Sequence, residues 1–305
     1  MRFFARDTPA VLDGGLASEL EARGFSLSDR LWSARAIADA PALLAAIHRD
    51  YLDAGADVVT TATYQATIPG FVARGLTEGD ARQAILDGVT LAIAERDARR
   101  PQALVAASIG SYGASLADGS EYRGDYGIPA EALAAWHRPR LRLLEGSGAD
   151  LLAFETIPSL AEVEAIVGLL DAGDGPPAWI SFQARDAHHL ADGNAIAEAA
   201  RMASRASRVV AVGINCVPPE RVGPLLRAIR PATSKPLIAY PNRGDVWDPV
   251  QRHWIPRGHP IDWATLVPAW SRAGARLIGG CCRTTPADVR AIAAAVRRGE
   301  EGGGK

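Results

Sequence analysis

Eight short apolar runs recur along this chain, at Ala10–Asp13, Asp57–Tyr64, Ala103–Gly110, Asp150–Thr156, Ala178–Gln183, Val209–Cys216, Leu237–Tyr240 and Arg276–Gly280. Most are continuous rather than alternating, the pattern of parallel strands buried on both faces. Amphipathic stretches lie between them. Leu160, Val163, Ile166, Val167 and Leu170 fall at helical spacing, as do Val289, Ile292 and Val296 behind a Thr285-Pro286 start. The stretch from Ala130 to Leu144 reads as a helix with Pro139 as a kink. Ala54-Gly55-Ala56-Asp57, Ser147-Gly148-Ala149-Asp150 and Ala273-Gly274-Ala275-Arg276 repeat one junction, a glycine closing a helix before a strand begins. Strands alternating with helices in this number predict an α/β fold, a closed (β/α)8 TIM barrel in one domain over residues 1–298, with 299–305 as a flexible tail. A doubly wound open sheet would want a glycine-rich nucleotide loop after the first strand, and Asp13-Gly14-Gly15-Leu16-Ala17-Ser18 is not that fingerprint.

Composition narrows the function. The formal net charge is −2, so a nucleic-acid partner is not favoured. No run approaches about 18 uninterrupted apolar residues, so no membrane span is expected. The N-terminal Met-Arg-Phe-Phe-Ala-Arg-Asp places charges where a secretion signal needs an apolar stretch. An odd cysteine count, three in all, argues for a reducing, cytoplasmic setting rather than a disulfide scaffold.

Barrel chemistry belongs at the C-terminal ends of strands. Asp13 with Gly14 and Gly15, Tyr64 with Gln65, Gly110, Glu155 with Thr156, Asn215 with Cys216, Tyr240 with Asn242, and Cys281 with Cys282 all fall there. Every thiol of the chain is therefore expected at one face, Cys216 and the Cys281-Cys282 pair being separated by a single strand. Adjacent cysteines can ligate one metal if the backbone kinks between them, and Gly279-Gly280 offers that freedom. The following helix start and Arg283 both favour thiolate. None of the six histidines sits at a strand end. His188-His189 follows the fifth strand and reads as a solvated loop. The favoured reading is three cysteine ligands with one exchangeable position, and soft thiolates select zinc. Inert buried cysteines, or a thiol-disulfide pair at Cys281-Cys282, are the alternatives.

Asp13 and Glu155 at the mouth suit a general base, a metal ligand or an anchor for a substrate ammonium. Schiff-base chemistry is disfavoured because Lys235 precedes its strand, at the wrong end. The loop from Leu116 to Gly127 carries Asp118, Glu121, Asp125, Tyr122 and Tyr126 and is a candidate wall for a cationic substrate. The loop Asn242–Pro260 is a candidate lid.

Gly279-Gly-Cys-Cys-Arg283, Gly213-Ile-Asn-Cys216, Leu12-Asp-Gly-Gly15, Phe154-Glu-Thr156 and Tyr64-Gln-Ala-Thr67 resemble the homocysteine S-methyltransferase family, and the similarity covers essentially the whole chain. The resemblance implies a zinc-bearing barrel in which Cys216, Cys281 and Cys282 hold Zn2+ and the homocysteine sulfur becomes the fourth ligand. It implies that Asp13, Gly14, Gly15 and Glu155 hold the amino acid. Tyr64, Asn215, Asp118 and Tyr126 complete the expected substrate-binding set. The partners are then small molecules, homocysteine and a methyl donor. The Asp118–Tyr126 loop resembles the S-methylmethionine-using branch, with S-adenosylmethionine as a further sulfonium donor and betaine as the alternative. Cobalamin-dependent methionine synthases share the module but carry further domains, which this chain is not expected to have.

Overall fold

The computed structural model describes residues 8–248, 253–256 and 260–302. The chain runs through β1 (Ala10–Val11), β2 (Val58–Thr60), β3 (Leu104–Gly110), β4 (Leu151–Ile157), β5 (Ala178–Phe182), β6 (Val209–Asn215), β7 (Leu237–Tyr240), β8 (Val246–Asp248), β9 (His253–Ile255) and β10 (Ala275–Ile278). All but β8 and β9 join one parallel sheet in the order β1-β10-β7-β6-β5-β4-β3-β2. The two ends of that order meet through a Leu12–Val58 bridge and the Asp13 N–H donating to the Val58 carbonyl at 3.1 Å. The (β/α)8 barrel expected from the eight apolar runs is therefore the observed architecture.

Helices Pro41–Asp53, Glu78–Arg99, Ala130–Glu145, Leu160–Asp171, Ile196–Ala203, Pro219–Ile229, Trp263–Arg272 and Pro286–Gly302 wrap the strands. Their ends follow local chemistry. The Ser159 hydroxyl accepts from the Glu162 N–H at 3.3 Å, and Thr285 and Asp288 cap each other across the start of the last helix. Gly55, Gly148 and Gly274 take φ of 105°, 84° and 102°, the left-handed turn that the repeated junction implies. The Ala130–Glu145 helix continues through Pro139. The last helix reaches Gly302, so it takes up the start of the expected tail, and residues 303–305 lie outside the described residues.

Alternation along the strands divides the core. Leu12, Val58, Leu151, Trp179, Ile238 and Leu277 are among the residues that fill the barrel interior. The opposite strand faces meet the helices in a larger apolar layer. Trp179 lies wholly buried, its indole N–H donating to the Tyr240 hydroxyl at 3.1 Å. These side chains fill the barrel interior as a packed core. The candidate lid holds the antiparallel pair β8–β9, and its residues 249–252 and 257–259 lie outside the described residues. Among the described residues no helix is long and apolar enough to cross a membrane.

Candidate metal centre and substrate cavity

At the mouth of the barrel the Sγ atoms of Cys216, Cys281 and Cys282 lie within 4.8 Å of one another. Three backbone bonds set this geometry. The Cys216 N–H donates to the Tyr240 carbonyl at 3.1 Å, the Cys281 N–H to the Pro241 carbonyl at 2.8 Å, and the Arg243 N–H to the Cys282 carbonyl at 3.0 Å. The end of β7 thus holds both cysteine segments. Cys216 and Arg283 carry the turns themselves, in left-handed backbone at φ 52° and 69°. Gly279 and Gly280, expected to supply that freedom, serve close approach instead. A Cβ on Gly279 would stand 2.6 Å from Leu12 Cβ, and one on Gly280 would stand 2.1 Å from Thr284 Oγ1.

Trp32, Ala117 and Thr156 are the other described non-glycine residues at positive φ. Trp32, Ala117, Thr156 and Cys216 all line one cavity of about 590 Å³, which the cysteine triad also lines. Each such residue stores roughly 1–3 kcal/mol of backbone strain, so their gathering here marks the part of the fold shaped for function.

The triad fits a metal. Cys216 and Cys282 sulfurs are 3.5 Å apart. Two sulfurs at about 2.3 Å from one tetrahedral zinc lie roughly 3.8 Å apart, whereas a disulfide needs about 2.05 Å. All three cysteines are free thiols. Hydrogen bonds from Cys281 and Cys282, and one from Tyr122 at 3.7 Å, hold the Cys216 thiol well below its ordinary pKa. Their hydrogen bonds with Cys216 push Cys281 and Cys282 up. Thiols that share protons in this way are ready to give them up together to a divalent cation. Among the described residues no histidine or carboxylate completes the group. His48 and His137 are buried within helices, and His189 pairs with Asp186 at 2.8 Å on the surface. Arg283, expected to favour thiolate, turns its guanidinium to Asp245 at 3.1 Å and Glu21 at 3.7 Å.

Two acids line the same cavity as the thiols. Asp13 accepts from the Thr60 N–H at 2.7 Å and from its hydroxyl, and Glu155 accepts from the Ser108 hydroxyl. Burial pushes Glu155 up to about 7. Burial, opposed by the Thr60 hydrogen bonds and helped by Glu155, raises Asp13 well above the usual carboxylate range. Two buried acids that resist ionising would both be stabilised as carboxylates by a cation placed beside them. Asn215 has a supporting task. Its side chain binds the Thr156 N–H and hydroxyl, each at 2.8 Å, and reaches Cys281 Sγ at 3.9 Å.

Of the substrate residues expected from the sequence, Asp13, Gly14, Gly15, Tyr64, Glu155, Asn215 and Asp118 line the cavity. Gly15 has its N–H committed to the Thr284 carbonyl at 3.0 Å, and a Cβ on it would stand 2.7 Å from the Cys281 carbonyl. Its smallness therefore lets the first βα turn touch the cysteine turn. Tyr126 is not among the lining residues. Its hydroxyl is buried against Gly113, where it braces the Asp118–Tyr126 loop from behind. Phe25, Asp29 and Trp32 form a wall that the strand ends did not announce, with the Trp32 ring edge-on to Tyr64 at 6.1 Å. The signal was the long stretch between the first two strands, since βα loops build the active face of a barrel.

Comparison with known proteins agrees with this geometry. The homocysteine S-methyltransferase family profile matches residues 10–296. Homocysteine S-methyltransferase of Escherichia coli (strain K12) is 48% identical over 93% of this chain and 94% of its own length. Homocysteine S-methyltransferase YbgG of Bacillus subtilis (strain 168) is 45% identical over 94% of each. The crystal structure of the homocysteine methyltransferase MmuM from Escherichia coli in its metallated form superposes with a TM-score of 0.86 at 45% identity, covering 96% of this chain and 98% of that one. The oxidized form of MmuM gives a TM-score of 0.84 at 46% identity, over 95% and 96%. The match spans nearly the whole chain, and the chain belongs to the homocysteine S-methyltransferase family.

Proposed function

We propose that this protein transfers a methyl group from a sulfonium donor, S-methylmethionine in the first place, to the sulfur of L-homocysteine, with Zn2+ held by Cys216, Cys281 and Cys282. The observation that carries the reading is the triad of thiols within 4.8 Å opening onto an acid-lined cavity. Zinc bound there supplies a Lewis acid that lowers the pKa of a thiol taking its remaining position. The chain's own residues do the rest. Asp13 and Glu155 anchor the homocysteine ammonium, and the cavity's other walls align the donor methyl with the acceptor sulfur. The S–CH3 bond of the donor breaks as the new S–CH3 bond forms, and the homocysteine thiol proton leaves to solvent. With S-methylmethionine both the leaving group and the product are methionine. The sulfonium and thiolate charges cancel as the methyl moves, so a cavity with a dry floor favours the step, and alignment supplies much of the rate. One barrel domain, residues 1–298, holds every group invoked, and we place the reaction in the cytoplasm.

Zinc-loaded protein offered homocysteine with S-methylmethionine, S-adenosylmethionine or betaine in parallel is expected to form methionine fastest with S-methylmethionine. Absence of methionine with either sulfonium donor would overturn the proposal.

A further inference from the structure

The cavity has an unusual charge inventory. Its lining includes the carboxylates of Asp13, Glu21, Asp29, Asp118, Glu121 and Glu155, and among the described residues no lysine, arginine or histidine. Five of these acids are committed. Asp13 is bound by Thr60, Glu155 by Ser108, Glu21 lies 3.7 Å from Arg283, Asp29 lies 3.3 Å from Arg74, and Asp118 accepts from the Ser120 N–H at 2.9 Å. Glu121 is the exception. One of its carboxylate oxygens is enclosed with no hydrogen-bond partner among the described residues.

The neighbour that would ordinarily neutralise it is turned away. Arg123 bonds to the Ser120 hydroxyl at 2.9 Å and lies 3.9 Å from Asp118 and 3.5 Å from Asp125. The turn carrying Glu121 is closely packed. Ala117 and Gly119 sit in left-handed backbone, and a Cβ on Gly113 would stand 2.6 Å from the Glu121 nitrogen. The next residue, Tyr122, places its hydroxyl 3.7 Å from Cys216 Sγ, and Glu121 lines the same cavity as the three cysteines. An enclosed carboxylate with an unused oxygen is strongly destabilised until a cation reaches it.

We propose that Glu121 binds the positive charge of the methyl donor and sets the preference of this site for cationic donors. The inference rests on the sulfonium-donor reading above and assigns it a residue. Asp118, named from the sequence, is half-exposed and ion-paired within the loop, and so defines the turn rather than the charge site.

The test compares zinc-loaded wild type, Glu121→Gln, Glu121→Asp and Asp125→Asn, with S-methylmethionine as the varied donor. Glu121→Gln is expected to raise the donor KM at least about tenfold, a typical loss for one charge-assisted contact. The homocysteine KM should stay within about twofold and the zinc content should not change. Glu121→Asp should fall between wild type and Glu121→Gln, and Asp125→Asn should match wild type. Calorimetric titration of each protein with S-methylmethionine alone reads the same order without turnover. A donor KM within twofold of wild type in a zinc-replete Glu121→Gln protein would overturn the assignment and leave the proposed function standing. A wild type that neither binds nor uses the sulfonium donor would overturn both.

Discussion

Replacing Cys216, Cys281 or Cys282 by alanine, one at a time, is expected to strip zinc from the protein and lower methyl transfer by at least about a thousandfold. A structural zinc site is worth roughly 10–16 kcal/mol over its four ligands, so each thiolate supplies about 3 kcal/mol, or two to three orders of magnitude in affinity. Activity should fall further, because a metal left with two thiolates is open to water where substrate sulfur should bind. Cys216 should be the most damaging of the set. Its sulfur meets Cys282 at 3.5 Å and the Tyr122 hydroxyl at 3.7 Å, and it is the thiol whose pKa its neighbours hold well below the ordinary value. The fold should survive, since the cysteine turns are held by backbone bonds to Tyr240, Pro241 and Arg243. Zinc content after gel filtration, alongside a melting curve of the zinc-free proteins, separates loss of metal from loss of fold. Full zinc retention in all of the variants would contradict the assignment.

Glu155→Gln is expected to yield a protein that folds more tightly and works far worse. Glu155 is buried and its folded pKa is about 7, above the ordinary 4.5. A carboxyl with a raised pKa holds its proton more firmly in the folded state. Its stabilising effect is therefore complete below about pH 4.5 and is lost as pH rises through 7. At pH 8 the ionised group costs about 3 kcal/mol, which the neutral amide avoids. Ligand-free Glu155→Gln should melt higher than wild type at pH 8 and show little difference at pH 4.5. The same substitution removes an anchor for the amino-acid ammonium, and the homocysteine KM should rise about a hundredfold. Binding of methionine, which has no thiol to titrate, should weaken in wild type as pH falls below 7. In Glu155→Gln it should weaken less steeply, with Asp13 accounting for what remains. A variant that loses both stability and activity at pH 8 would show that Glu155 is a structural acid.

The barrel was readable from the chain because strands buried on both faces leave unbroken apolar runs, and because Gly55, Gly148 and Gly274 mark the turns before the second, fourth and eighth barrel strands. The cysteines were readable because strand ends converge on one face whatever the details of the loops. The mechanism of convergence was not. Cys216 and Arg283 adopt left-handed backbone with ordinary side chains, and nothing in residue type announces that, whereas Gly279 and Gly280 invite it and do not use it. Arg283 looked like a charge for the thiolates because sequence adjacency says nothing of direction; Asp245 and Glu21 determine where it points. In the Asp118–Tyr126 loop, composition pointed to a segment that reaches the cavity through Asp118, Glu121 and Tyr122 but could not rank its acids. Only the placement of Arg123 shows that Asp118 and Asp125 are paired, and only the packing on Gly113 shows that Tyr126 faces away from the cavity.

The claim on which the account turns is that three protein thiolates leave one position for the substrate's sulfur. Zinc-edge X-ray absorption of the zinc-loaded protein tests it directly. The account predicts three sulfur neighbours at about 2.3 Å without substrate and four after homocysteine is added. An unchanged sulfur count on addition of saturating homocysteine would contradict it.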